Sequence, residues 1–97
     1  MKTIFKYNIS INDCQTIEMP KDAEILKTGV QNGKMVLWAL VNPEYGKEQR
    51  WFRLIGTGHK ITDEISNNMH YIGTFLLYGD SMVFHLFEML KNNEYEL

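Results

Sequence analysis

His70-Tyr71-Ile72-Gly73-Thr74-Phe75-Leu76-Leu77-Tyr78-Gly79-Asp80-Ser81-Met82-Val83-Phe84-His85-Leu86-Phe87 is the stretch that decides the fold. Two strand-like apolar segments flank Gly79-Asp80, the composition of a two-residue hairpin turn with glycine at its first central position. That register pairs Tyr78 with Ser81 and sets Leu77 opposite Met82, Phe75 opposite Phe84 and Gly73 opposite Leu86 on one face. The other face then pairs Leu76 with Val83, Thr74 with His85 and Ile72 with Phe87. Both faces are mostly apolar. The ribbon therefore either closes into a barrel-like wall or uses its second face in an oligomer.

Outward from this ribbon, Gln31-Asn32-Gly33-Lys34 is a second hairpin signal, joining Glu24–Gln31 to Lys34–Val41. A type I′ turn there pairs Gln31 with Lys34, Val30 with Met35, Thr28 with Leu37 and Lys27 with Trp38. Leu37–Val41 is apolar on both pleat faces and reads as a central strand. Thr3, Phe5, Tyr7 and Ile9 alternate with more polar residues, a strand with one buried face. Gln15–Met19 is a short strand ended by Pro20, and Gln49–Ile55 is another. Thr62 can cap one helical turn within 62–68, with Asp63 and Glu64 at its positive end. Lys91–Leu97 reads as a frayed polar tail. The expected fold is mainly β: a small antiparallel barrel or sandwich of about seven strands with at most one short helix. One domain is expected to span residues 1–97.

Composition removes several function classes. Ten Lys and Arg against twelve Asp and Glu leave a formal charge of −2, which opposes non-specific nucleic-acid binding. Lys47, Arg50, Arg53 and Lys60 are the one candidate cluster against that reading. The longest apolar run, Met35–Val41, is far short of the ~20 residues that cross a bilayer, so no membrane role is expected. The N-terminus lacks the apolar core of a signal peptide. Cys14 is the single cysteine and fits a reducing cytoplasm, the expected location.

The segments Ile17-Glu18-Met19-Pro20-Lys21, Glu24-Ile25-Leu26 and Val30–Gly33 with Leu37–Val41 resemble a family of small uncharacterised phage and prophage proteins. So do Phe52-Arg53 with Gly56-Thr57-Gly58-His59, Tyr71-Ile72-Gly73-Thr74-Phe75 and Val83–Phe87. The resemblance covers most of the chain. It implies a phage accessory protein in the host cytoplasm and carries no catalytic residue set with it.

Read on their own chemistry, a few residues stand out. The alternating glycines of Gly56-Thr57-Gly58-His59 suit either a bent strand corner or a nest of backbone N–H groups for an anion, with Thr57 and His59 as added donors. Trp38, Trp51, Arg53 and Tyr71 have the composition of protein hot spots and of nucleobase pockets. His85, opposite Thr74, reads as a hydrogen-bonded core or pocket-wall histidine. The candidate binding residues are thus Trp51, Arg53, Gly56, Thr57, Gly58, His59 and His85. No catalytic constellation, metal-ligand spacing or cofactor motif is present. The function expected is a non-enzymatic, phage-type accessory protein that blocks a host protein, antiviral defence included, or works as a homo-oligomer. The alternative is a binder or sponge of a small anionic ligand such as a nucleotide or cyclic nucleotide signal.

Overall fold

The computed structural model describes residues 1–90; the Lys91–Leu97 tail lies outside them. The described chain runs β1 (Thr3–Asn8), β2 (Cys14–Pro20), β3 (Glu24–Gln31), β4 (Lys34–Val41), β5 (Lys47–Gly56), α1 (Asp63–Ser66), β6 (Met69–Leu77) and β7 (Met82–Met89). The strands form two antiparallel sheets, one ordered β1-β4-β3 and the other β2-β5-β7-β6. No sheet closes into a barrel. Of the two expected architectures, the sandwich is the one formed.

Both hairpins have the expected registers. Gln31, Val30, Thr28 and Lys27 face Lys34, Met35, Leu37 and Trp38, and φ of +52° at Asn32 and +76° at Gly33 gives the type I′ turn. In the second ribbon, Leu77, Leu76, Phe75, Thr74 and Gly73 face Met82, Val83, Phe84, His85 and Leu86. Ser81 N–H donates to the Tyr78 carbonyl at 3.3 Å. The strands end at Leu77 and begin again at Met82, so Tyr78–Ser81 is a four-residue connection with positive φ at Tyr78, Gly79 and Asp80, and not the two-residue turn expected; Tyr78 and Ser81 do not continue the ladder, although the pairing beyond them is the expected one. Along the strands the register departs only at its far end. Ile72 is the extra residue of a bulge, so Tyr71, not Ile72, faces Phe87. Ile72 turns instead to pack against the core.

The core lies between the sheets. From the three-stranded sheet, β4 contributes Met35, Leu37, Ala39 and Val41, all at most 2% exposed. They alternate because side chains on a strand repeat every two residues. From the four-stranded sheet come Met19, Phe52, Leu54, Phe75, Leu77 and Leu86. Lying between β1 and β3, β4 is the central strand its apolar faces indicated. Trp38 is half-buried on the opposite face, lying over Gly29 on β3. At one end of the core Arg50 crosses between layers. Its Nε and Nη2 donate to Glu88 at 2.6 and 2.7 Å, and Nη1 donates to the Ala23 carbonyl at 2.6 Å. The hydrogen bond to Glu88 raises the Arg50 pKa above its already high ordinary value.

α1 is a single turn placed where its cap demanded. The Thr62 hydroxyl accepts from the Ile65 N–H at 3.3 Å, and Asp63 and Glu64 occupy the first turn. It carries the chain from the end of β5 to the start of β6.

Candidate functional site

The four-stranded sheet has a second face that no other sheet covers among the described residues, and most of the candidate residues meet there. Cross-strand partners share a face, so the registers place the side chains directly. Arg53 on β5 faces Phe87 on β7, which faces Tyr71 on β6. The next row is Ile55, His85 and Thr74, and the row beyond is Thr57, Val83 and Leu76. Trp51 stands two residues before Arg53 on the same face, opposite Thr16 of β2. Tyr71 and Phe87 meet edge to face with ring centroids 5.6 Å apart. Tyr71 and Leu76 are about half exposed, at 54% and 52%. Trp51, Arg53, Ile55, Val83, His85 and Phe87 are each intermediate. Trp38 does not join them: it belongs to the other sheet.

His85 is the polar centre of this face. Its Nε2 lies 2.7 Å from Thr57 Oγ1 and its Nδ1 lies 3.0 Å from Thr74 Oγ1. Thr74 Oγ1 is in turn 2.5 Å from the Tyr71 hydroxyl. Four side chains, from β6, β7 and the turn after β5, thus form one continuous hydrogen-bonded line. The Thr74 contact was legible from the hairpin register. The Thr57 contact was not, because it depends on β5 pairing with β7, and no local signal specifies that pairing. His85 is half-buried and lies on the outer face, so the core-histidine reading gives way to a wall position.

A hydroxyl against an imidazole with a second hydroxyl behind it has the outline of an activated nucleophile. The backbone around Thr57 does not complete it. Thr57 N–H donates to the Val83 carbonyl at 3.4 Å, and His59 N–H donates to the Gly56 carbonyl at 3.2 Å. Both of these amides beside Thr57 are taken by protein carbonyls. The same bonds define Gly56-Thr57-Gly58-His59 as a tight turn with φ of +88° at Gly58, a conformation that favours glycine. The glycines here bend the chain at the end of β5. His59 folds back so that its ring lies against Gly56.

Two cavities flank that histidine. One, of about 140 Å³, is lined by Asp13, Arg53, Leu54, Ile55, His59, Lys60, Ile61 and Ile65. The other, of about 410 Å³, is lined by Gly56, Thr57, His59, Ser81, Met82, Val83 and Phe84. The basic residues flagged in the sequence are divided between faces. Arg50 points inward to Glu88, whereas Arg53 and Lys60 share the small cavity. No group of three or more His, Cys, Asp or Glu that could hold a metal ion occurs among the described residues. No helix among them is long and apolar enough to cross a membrane.

A family model described as "Domain of unknown function (DUF7352)" matches residues 1–96. The chain belongs to this family. No curated protein and no solved structure matches it. Membership of DUF7352 assigns no reaction or partner, so the chemistry of the face must carry the functional reading.

That chemistry gives a first test. His85→Phe removes both ring-nitrogen contacts but leaves Thr57 and Thr74 within reach of water. The fold should persist with a stability change below about 1 kcal/mol by urea denaturation. A loss above about 2 kcal/mol would show that the hydrogen-bonded line supports the sheet itself.

Proposed function

We propose that this DUF7352 protein is a non-enzymatic, phage-type accessory protein that occupies a host protein through the outer face of its four-stranded sheet. The observation that carries the reading is the makeup of that face. Trp51, Arg53, Tyr71 and Phe87, with Ile55, Leu76 and Val83 around them, combine aromatic anchors, one arginine and an aliphatic surround. This is the composition in which a few residues supply most of the binding energy of a protein interface. A surface made only for water has no use for such a cluster. Some of the segments that carry the phage-type resemblance adjoin the same face, with Gly56–His59 at one end and Tyr71 and Thr74 within it, whereas those on β3 and β4 belong to the other sheet.

The test begins with a host-cell lysate and ends with purified components. A protein retained from the lysate should bind the purified chain in a saturable titration. Tyr71→Ala with Leu76→Glu, two half-exposed positions, should weaken that binding by at least about tenfold while the fold is kept. No saturable host protein, or one whose affinity ignores both substitutions, overturns the reading.

A second reading rests on the small cavity, where Arg53, His59 and Lys60 meet. At about 140 Å³ it suits a phosphate- or carboxylate-sized group and is too small for a nucleotide, since ligand pockets usually span ~300–1,000 Å³. The larger cavity has the room but neither lysine nor arginine in its lining. Inorganic phosphate at millimolar concentration should raise the melting temperature under this reading, and nucleotides should add nothing beyond their phosphate. A flat response to all of them removes it.

A further inference from the structure

Among the described residues, the edge of β1 is exposed and open to another strand. Its hydrogen-bonding phase follows from two independent observations. Ile9 N–H donates to the Met35 carbonyl at 3.0 Å, and these residues continue the β1–β4 register. In an antiparallel pair such bonds join directly opposed residues at every second position. Thr3, Phe5 and Tyr7 therefore bond to β4. The I′ turn at Asn32-Gly33 gives the same phase from the other side, because it makes Gln31–Lys34 a bonded pair and commits the even residues of β4 to β3. The N–H and C=O groups of Ile4, Lys6 and Asn8 point away from β4, where no strand lies among the described residues.

Natural edges are guarded by proline, bulges or lysine, and β1 has none of these in working position. The β2 edge is different. Leu54 N–H donates to the Asp13 carbonyl, so the even residues of β2 face outward, and Pro20 among them has no N–H to offer. On β1 the one lysine is drawn off the edge. Lys6 Nζ crosses β4 and donates to Gln31 Oε1 on β3 at 3.0 Å. Ile4 and Phe5 remain 56% and 40% exposed.

We propose that β1 pairs antiparallel with β1 of a second copy of this chain, joining the three-stranded sheets of two protomers into one continuous six-stranded sheet. The register is determined by charge and phase together. A two-fold axis at Phe5 sets Phe5 against Phe5, Thr3 against Tyr7, Ile4 against Lys6 and Lys2 against Asn8. Axes at Ile4 and at Lys6 set Lys2 opposite Lys6 and Lys6 opposite itself, like-charge pairs that destabilise a sheet, and an axis at Tyr7 pairs fewer residues of Thr3–Asn8. With the axis at Phe5, each Ile4–Lys6 pair exchanges backbone hydrogen bonds and the two phenylalanines meet at a non-bonded position, where side chains approach most closely. The contact is small, and a concentration-dependent, micromolar dimer is its expected strength. Because β1 lies in the other layer, pairing leaves the outer face of the four-stranded sheet free on both copies.

Three variants test this. Sedimentation from about 1 to about 500 μM should show the wild type shifting from monomer to dimer. Ile4→Pro removes only an N–H that points away from β4. It should stay folded by circular dichroism and stay monomeric over the same range. In a Cys14→Ser background, Phe5→Cys should form a disulfide-linked dimer on oxidation, because Cα atoms in a non-bonded pair lie ~4.5 Å apart, within disulfide reach. Ile4→Cys in that background should not. A wild type that remains monomeric at the top concentration overturns the proposal. So does a dimer that survives intact in folded Ile4→Pro, or cross-linking through position 4 and not 5.

Discussion

Arg50→Ala is expected to destabilise the fold by about 3–5 kcal/mol, because it strands the Glu88 carboxylate at the rim of the core. The Arg50 and Glu88 side chains are only 18% and 19% exposed, so water cannot readily replace the lost partner. The guanidinium also holds the Ala23 carbonyl, tying the start of β3 to the opposite sheet. The pair itself need not add net stability, since bringing two charges out of water costs about as much as their attraction returns. Arg50→Met with Glu88→Leu should therefore recover most of the loss. Urea denaturation of the two single variants and the double variant checks this. If Arg50→Ala costs less than about 1 kcal/mol, the pair is a solvated surface contact and the argument fails.

How far the fold could be read from the chain depended on how local each determinant was. The two hairpins were legible because a few adjacent residues determine turn and register together. Asn32-Gly33 adopts the left-handed pair a I′ turn requires, and the alternation in Lys34–Val41 matches the buried and outer faces of β4. Thr62 as helix cap was legible for the same reason. Sheet membership was not, because nothing near β5 states that it pairs with β2 on one side and β7 on the other. The Thr57–His85 and Arg50–Glu88 contacts, 28 and 38 residues apart, follow from that pairing and were hidden with it.

The candidate site shows the same division. His85 opposite Thr74 followed from the hairpin, and Trp51 with Arg53 on one face followed from strand alternation. Glycine spacing in Gly56–His59 was consistent with both an anion nest and a corner. Two of its N–H groups go to protein carbonyls, and the Thr57 bond depends on Val83 reaching in from β7. Tyr71 enters the face only because Ile72 is bulged out of register. Without the bulge Ile72 would have faced Phe87, and the phenol that ends the hydrogen-bonded line would point inward.

That bulge leads to the other large effect expected. Gly73→Ala should cost about 2–3 kcal/mol and Gly73→Val more, because the seam between β3 and β6 has no room for a side chain. A Cβ at position 73 would lie 2.1 Å from Thr28 Oγ1, 2.9 Å from its Cγ2 and 3.0 Å from its Cβ. Rotating Thr28 moves the first two atoms away but not the third, so the strands themselves must separate. Gly73 sits within the Tyr71–Phe75 segment that carries the family resemblance, and its physical role is this close approach of one sheet edge to the other. Thr28→Ala removes the two atoms beyond Cβ. The Thr28→Ala, Gly73→Ala pair should therefore be less damaging than the sum of its parts by about 1 kcal/mol or more. Gly46→Ala, where a Cβ meets nothing within 4 Å, is the matched control and should be close to neutral. Additive losses in the Thr28–Gly73 cycle, or a Gly73→Ala protein as stable as the control, would show that the seam yields and that β3 and β6 are not locked together at this point.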